Sequence, residues 1–139
     1  MGEPRHLEVL TVEECFELVR EQVVGRLAIS SAHGPPFVAP VTFVFDGSSI
    51  FFRSNPGEKF DAVDQRVTFQ IDGFDHQHRT GWSVMLQGRI ELADDKDVIH
   101  LDLEPWVGPR AFWIRLAPDV VTGRRLVLHL PDVDARGYR

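Results

Sequence analysis

The sequence predicts a mainly β protein, an antiparallel barrel with short helices on its flanks. Three observations carry this. Strand-like runs, rich in aromatic and β-branched residues, recur at 26–30, 37–45, 48–54, 67–72, 80–94 and 111–130. Most are joined by segments of hairpin length. Helical spacing is confined to short stretches between them. A long antiparallel sheet of this kind removes its exposed edges by closing on itself.

The elements follow in order. Thr11 stands three residues before Glu14, the capping-box arrangement in which hydroxyl and carboxylate each meet an open backbone N–H. Val12, Cys15, Phe16, Val19 and Val23 follow at helical spacing, and Gly25 marks the stop. The spacing predicts a helix over about 11–22. The "RLAIS" run at 26–30 is a strand, and "HGPP" at 33–36 a turn. "FVAPVTFVF" and "SSIFFRS" flank Asp46-Gly47, a strong hairpin signal. Pro40 cannot donate to a ladder, so its strand lies at an edge or carries a bulge.

"GEKFDAVDQR" at 57–66 reads as a short helix with Phe60 and Val63 on its apolar face. "VTFQID" at 67–72 alternates as a strand, and "GFDHQHR" at 73–79 is a polar loop. "TGWSVMLQGRIELAD" at 80–94 is a long strand with Gly81 and Gly88 as candidate bends. A helix is expected from about Asp94 to Pro105, then a loop. "AFWIRLAPDVVTGRRLVLHL" at 111–130 reads as a strand, a bend and a second strand, before a loose tail.

With 139 residues, this is the size of one domain, able to bury a real core. The formal net charge is −6, which disfavours non-specific binding to nucleic acid or anionic membrane. Cys15 is the only cysteine, which rules out a disulfide within one chain, and its place in an apolar helical pattern suits a buried, inert thiol. No apolar run reaches the ~20 residues of a membrane span, so a soluble, cytoplasmic protein is expected.

One turn stands out against the acidic balance. "FFRSNPGEKFDAV" at 51–63 passes from an aromatic strand to an amphipathic helix. It gathers Arg53, Ser54, Asn55, Gly57 and Lys59 at the junction. A phosphate wants donors converging from one side. Arginine gives a planar fork, lysine a point charge, serine a hydroxyl, and a helix start gives open N–H groups. The glycine spacing of a Walker loop is absent. An ordinary turn with solvated charges would look much the same.

The chain resembles the FMN-binding split-barrel proteins related to pyridoxamine 5′-phosphate oxidase. The resemblance spans about residues 11–128. It rests on "EECFELVREQVVGRLAIS", "APVTFVFDGSSIFFRSNPGEK", "RTGWSVMLQGRIE" and "VTGRRL", in that order. It implies a six-stranded antiparallel split barrel, a homodimer, and FMN held in clefts between subunits. Carried over, Arg53, Ser54 and Lys59 become phosphate ligands. Pro40, Val41, Thr42 and Phe43 become the wall of the flavin ring, and Trp82 and Ser83 approach the cofactor. The implied activity is an oxidoreductase passing hydride or electrons between a nicotinamide cofactor, or oxygen, and a small organic substrate. The cofactor carries the redox chemistry, so an obvious catalytic triad is not needed.

Two other readings stay open. Related split barrels bind a deazaflavin with a longer anionic tail, for which Arg110, Arg124 and Arg125 are candidate contacts. A flavin- or haem-binding sensor without turnover is the reading from another class, since one fold hosts many functions. His76 and His78, two apart, could share a metal, but no third ligand is apparent and a solvated loop explains them. Trp106 and Trp113 suit packing, Trp113 beside the cleft or the dimer interface.

Overall fold

The computed structural model describes residues 5–54, 57, 61–98 and 112–128. In chain order the elements are β1 (Arg5–Val9), α1 (Val12–Arg20), β2 (Val24–Ile29), β3 (Phe37–Thr42), β4 (Val44–Phe45), β5 (Ile50–Ser54), β6 (Arg66–Asp75), β7 (Thr80–Leu92), α2 (Asp95–Val98) and β8 (Phe112–Leu128). The strands pair antiparallel in the order β3-β2-β6-β7-β8-β5-β4, and β1 adds to the distal part of β8. β3 and β4 stand at opposite ends of that order, yet only Phe43 separates them in the chain. The sheet must therefore curl until its ends meet, and β3 touches β5 there. With β3 and β4 taken as one broken strand and β1 as an accessory, six strands make the half-closed barrel that the resemblance implied.

Alternation along each strand sends one set of side chains inward. Leu27, Phe69, Ile71, Val84, Leu86, Ile90, Ile114 and Leu116 are essentially unexposed and form the core. Phe69 is its centre. It packs edge-to-face on Phe43 with ring centroids 5.1 Å apart, and its ring lies directly against Gly25. No larger residue fits at Gly25 without displacing that ring. Gly25 is thus a strand residue inside β2, not the helix stop. The helix ends at Arg20; Glu21 N–H donates to the Leu18 carbonyl at 3.3 Å and Gln22 N–H to the Val19 carbonyl at 3.1 Å.

The capping box is complete. Glu14 N–H donates to Thr11 Oγ1 at 3.1 Å, and Thr11 N–H donates to Glu14 Oε1 at 2.9 Å. Cys15 and Val19 are fully buried beneath α1. Burial pushes the Cys15 thiol up from its ordinary value, with the Glu14 charge acting the same way, so the thiol stays protonated and unreactive.

The Asp46-Gly47 hairpin forms as the sequence predicts. Gly47 takes a left-handed φ of 107°, a conformation that glycine adopts without strain. Asp46 Oδ1 accepts from Ser48 N–H, Ser49 N–H and the Ser48 hydroxyl at 2.9, 2.7 and 3.3 Å. Burial raises the Asp46 pKa, but the hydrogen bonds from Ser48 and Ser49 and the Arg115 charge outweigh it, and the net shift is downward. A depressed folded-state value means the contribution exists above the unfolded value and fades as pH falls through the folded one. The stability advantage of the native protein over Asp46→Asn is therefore expected to be full above about pH 4 and to shrink below it. Urea unfolding of both proteins from pH 7 down to pH 3 measures this.

Several sequence expectations shift. β1 was not foreseen, because it lies against β8 with most of its residues exposed and shows no one-sided burial. β6 continues through Asp75, which shortens the polar loop to a tight turn before Thr80. Gly81 pairs regularly with Phe74, so it bends nothing. The 111–130 region is one 17-residue strand, not two. The irregularity near Pro118 is a bulge: Gln87 faces Val120 and Gly88 faces Pro118, which leaves Asp119 as the extra residue. The bulge turns Asp119 toward Arg66, whose two terminal nitrogens donate to its carboxylate at 2.5 and 2.8 Å. Of the short helix expected at 57–66, residues 58–60 lie outside the described residues; of the rest only Asp61 is helical, 62–65 form a turn, and Arg66 already begins β6. Most of the helix expected from Asp94 lies outside the described residues. Among the described residues no helix is long and apolar enough to cross a membrane.

Candidate functional site

β5 carries the conspicuous corner. It is buried on both faces through Ile50, Phe51 and Phe52, and Arg53 follows where the strand nears its end. Arg53 pairs across the ladder with Trp113 of β8, and its guanidinium carbon stands 5.2 Å from the Trp113 ring centroid. That stacking holds the guanidinium plane in place. Among the described residues Arg53 Nε is buried and meets no hydrogen-bond acceptor. Leaving such a donor unmet costs roughly 1–3 kcal/mol, and an anion seated at the corner would meet it.

The other expected phosphate ligands divide. Ser54 is buried and, as the next residue along the strand, is turned to the opposite side from Arg53. Lys59 and Asn55 lie outside the described residues. The carbonyl of Gly57 accepts from Asp61 N–H at 2.8 Å.

The expected ring wall alternates. Pro40 and Thr42 are exposed on the outer face of β3, while Val41 and Phe43 are buried in the core. Pro40 occupies an end strand of the sheet order, which explains how it is tolerated there. In the β4–β5 hairpin Val44 faces Phe51 and Phe45 faces Ile50. Continued by two residues, this register sets Thr42 level with Arg53.

Trp82 is half-buried, between Gly73 and Arg125 on its neighbouring strands. Ser83 is exposed on the outer face, opposite Asp72 and Arg124. Arg26 faces Gln70, so the β2–β6 register carried two residues further sets Val24 level with Asp72. Thr42, Val24, Asp72 and Ser83 then form one row across the sheet. Three strand spacings of ~4.8 Å separate its ends by about 14 Å. One protomer therefore holds the expected residues as two groups, one around Arg53 and Thr42, the other around Trp82 and Ser83.

The histidines sit at the tip of the β6–β7 hairpin. Asp75 Oδ1 accepts from the N–H groups of Gln77 and His78, each at 3.0 Å, and Asp75 Oδ2 lies 2.7 Å from His78 Nδ1. The backbone and side-chain hydrogen bonds from His78 hold the Asp75 carboxyl below its ordinary pKa. His78 thus belongs to the turn. Arg5 reaches over from β1, donating to the carbonyls of Arg79 and His78 at 2.9 and 3.2 Å. His76 lies beside the exposed ring of Phe74, with centroids 6.4 Å apart. Among the described residues no group of three or more His, Cys, Asp or Glu side chains is placed to hold a metal.

Two cavities flank this hairpin. One of about 590 Å³ is lined by Gly73, Trp82, Arg125 and Val127, among others. The second, of about 490 Å³, is lined by Leu7, Phe74, Arg79, Trp82, Arg124 and Leu126, among others. Leu7 and Arg79 were not singled out from the sequence. Leu7 enters through the unforeseen strand β1, and Arg79 through the tightness of a turn that had read as an open loop.

A sequence profile described as pyridoxamine 5′-phosphate oxidase matches residues 11–125. An uncharacterized protein of Mycobacterium tuberculosis is 27% identical over 136 residues, covering 84% of this chain and 89% of that one. The solved FAD binding protein from Mycobacterium smegmatis is 26% identical with a TM-score of 0.77, covering 88% of this chain and 100% of that one. A FAD-binding protein from Mesorhizobium loti is also 26% identical, with a TM-score of 0.72, covering 89% and 99%.

Proposed function

The chain belongs to the pyridoxamine 5′-phosphate oxidase family, and from that premise we propose that it is a dimeric flavin-binding oxidoreductase. The observation that carries this is the Arg53 corner. A guanidinium stacked on Trp113, with a buried donor that the described residues leave unmet, fits the phosphate at the end of a ribityl chain. FMN and FAD both present that phosphate. The likeness to two FAD-binding proteins favours FAD over the FMN that the sequence suggested. Thr42 lines the path from the phosphate toward the ring. When bound, the flavin supplies hydride or single-electron transfer. The residues around it bind and orient the cofactor and keep water from its ring.

The dimer completes the cleft. Val24, Val38, Met85 and Val120 are exposed on the outer face of the sheet, and an apolar patch of that kind marks an interaction surface. A second copy laid on this face would bring its Trp82 and Ser83 toward the Arg53 corner, closing the ~14 Å gap that one protomer leaves between its two groups. The electron donor is expected to be a nicotinamide cofactor, with oxygen or a small organic molecule as acceptor.

Identifying the co-purifying ligand tests this. Yellow protein with flavin absorbance, releasing FAD or FMN by mass analysis and eluting as a dimer, is the expected result. Bleaching of the bound flavin by a nicotinamide donor supports turnover. A release of deazaflavin or haem replaces the cofactor in the proposal. Colourless protein that takes up neither FAD nor FMN when they are supplied overturns it.

A further inference from the structure

β1 has one open edge. Its five residues, Arg5–Val9, pair with β8, and among the described residues no strand takes the other side. Arg5 pins the start of β1 to the β6–β7 hairpin by donating to the carbonyls of Arg79 and His78. Leu10 N–H donates to the Gly123 carbonyl at 3.0 Å, one step beyond the pairing of Val9 with Arg124. In an antiparallel ladder the bonded residues alternate, so Glu8 and His6 turn their backbone groups toward β8. The N–H and C=O of Leu7 and Val9 then face the open edge. The same two residues carry apolar side chains that are 64% and 74% exposed. An open edge of this kind is a template for a further strand.

The residues of β1 select which strand. Antiparallel pairing of two copies about a two-fold axis can centre on His6, Leu7 or Glu8. Centring on Glu8 sets that carboxylate against its own copy. Centring on His6 sets imidazole against imidazole and leaves Val9 beyond the partner strand. Centring on Leu7 pairs the whole strand: Leu7 meets Leu7, Arg5 meets Val9, and His6 meets Glu8 on both sides of the axis. His6 and Glu8 already share a face, with Nε2 3.7 Å from Oε2 in one chain. Two copies would interleave two imidazoles with two carboxylates, and opposed groups of this kind stabilise a strand pair where like charges weaken it. We infer that the open edge of β1 binds the β1 edge of a second copy of this chain, antiparallel and centred on Leu7. So short a pair buries less than the ~1,000 Å² of a lasting interface, so the contact is weak and forms as concentration rises. It uses the backbone edge of β1, not the outer face of the sheet, and stands whether or not the flavin reading holds.

Sedimentation and disulfide cross-linking of the full-length protein test this. The average mass of the parent is expected to rise between micromolar and millimolar concentration. Leu7→Pro removes an N–H that faces the open edge and none that faces β8, so it is expected to keep the fold and abolish that rise. An unchanged thermal midpoint checks the fold. Cross-linking reads the register. Opposed Leu7 positions lie ~5.5 Å apart between Cα atoms, within reach of a disulfide, whereas the two Val9 positions are four residues out of register, about 14 Å apart. Under mild oxidation Leu7→Cys is expected to form linked dimers and Val9→Cys is not, with the native Cys15 buried in both. A parent mass that stays constant overturns the inference. So does a folded Leu7→Pro protein that associates as the parent does, or Val9→Cys linking as fast as Leu7→Cys. If Leu7→Pro fails to fold, the cross-linking comparison decides alone.

Discussion

Phe69→Ala is expected to lower the unfolding free energy by about 3–5 kcal/mol, the usual cost of emptying a fully buried phenylalanine site. Phe69 has no exposure, and the curled sheet is wrapped around it. β2 approaches with Gly25 against the ring, and Phe43 meets it edge-on from the strand break that closes the barrel. Neither neighbour can fill the space. Glycine has no side chain to move in, and Phe43 is fixed by the short link between β3 and β4. Against a typical total of 5–15 kcal/mol, the loss would leave the variant close to unfolding at ambient temperature. Urea titration should show a lower midpoint with an unchanged slope. A coupled measurement sharpens the point. Gly25→Ala should be costly in the parent, where the new methyl meets the ring, and nearly neutral beside Phe69→Ala, where it enters the vacated space. If the two changes simply add, Phe69 does not press on Gly25.

The second large effect concerns the cofactor. Arg53→Ala combined with Lys59→Ala is expected to weaken flavin binding at least about a hundredfold, since each charge-assisted bond to phosphate is worth ~1.5–3 kcal/mol. Arg53→Ala alone should account for a large share, because its guanidinium is already oriented by Trp113 and loses little freedom on binding. Fluorescence titration of the stripped protein with FAD and FMN gives the affinities, and circular dichroism verifies the fold. A double variant that holds flavin as tightly as the parent would place the phosphate elsewhere.

The barrel was legible in the sequence because its signals are local. Asp46-Gly47, the capping box at Thr11 and the alternation of 67–72 each express a preference that operates over a few residues, and each survives in the structure. What escaped depended on partners far away in sequence. β1 alternates with nothing of its own and exists because β8 offers it an edge. Gly25 looked like a helix stop because a glycine after an apolar run usually is one; its real constraint is a ring 44 positions later. The 111–130 run read as two strands about a bend, but a bulge beside Pro118 lets β8 continue unbroken. The candidate site was legible in part for the same reason. The turn at Arg53 is a local motif, and among the described residues the Nε of that arginine meets no acceptor; its role toward a phosphate is proposed. The opposite facing of Arg53 and Ser54 follows from strand alternation and was available in the sequence. The ~14 Å between Thr42 and Ser83 was not, since it depends on how many strands lie between them.

The length of β8 bears on how the protein emerges from the ribosome. That strand serves three partners, β1, β5 and β7, and all three precede it in the chain. Until residues 112–128 leave the exit tunnel, each of those partners has a row of backbone donors and acceptors facing water or any other nascent polypeptide. Slow translation before this point would lengthen the interval in which β5, with its Ile-Phe-Phe run, can pair wrongly. Synonymous codons that delay synthesis just upstream of Phe112 should therefore lower the soluble yield while leaving the finished molecule unaltered.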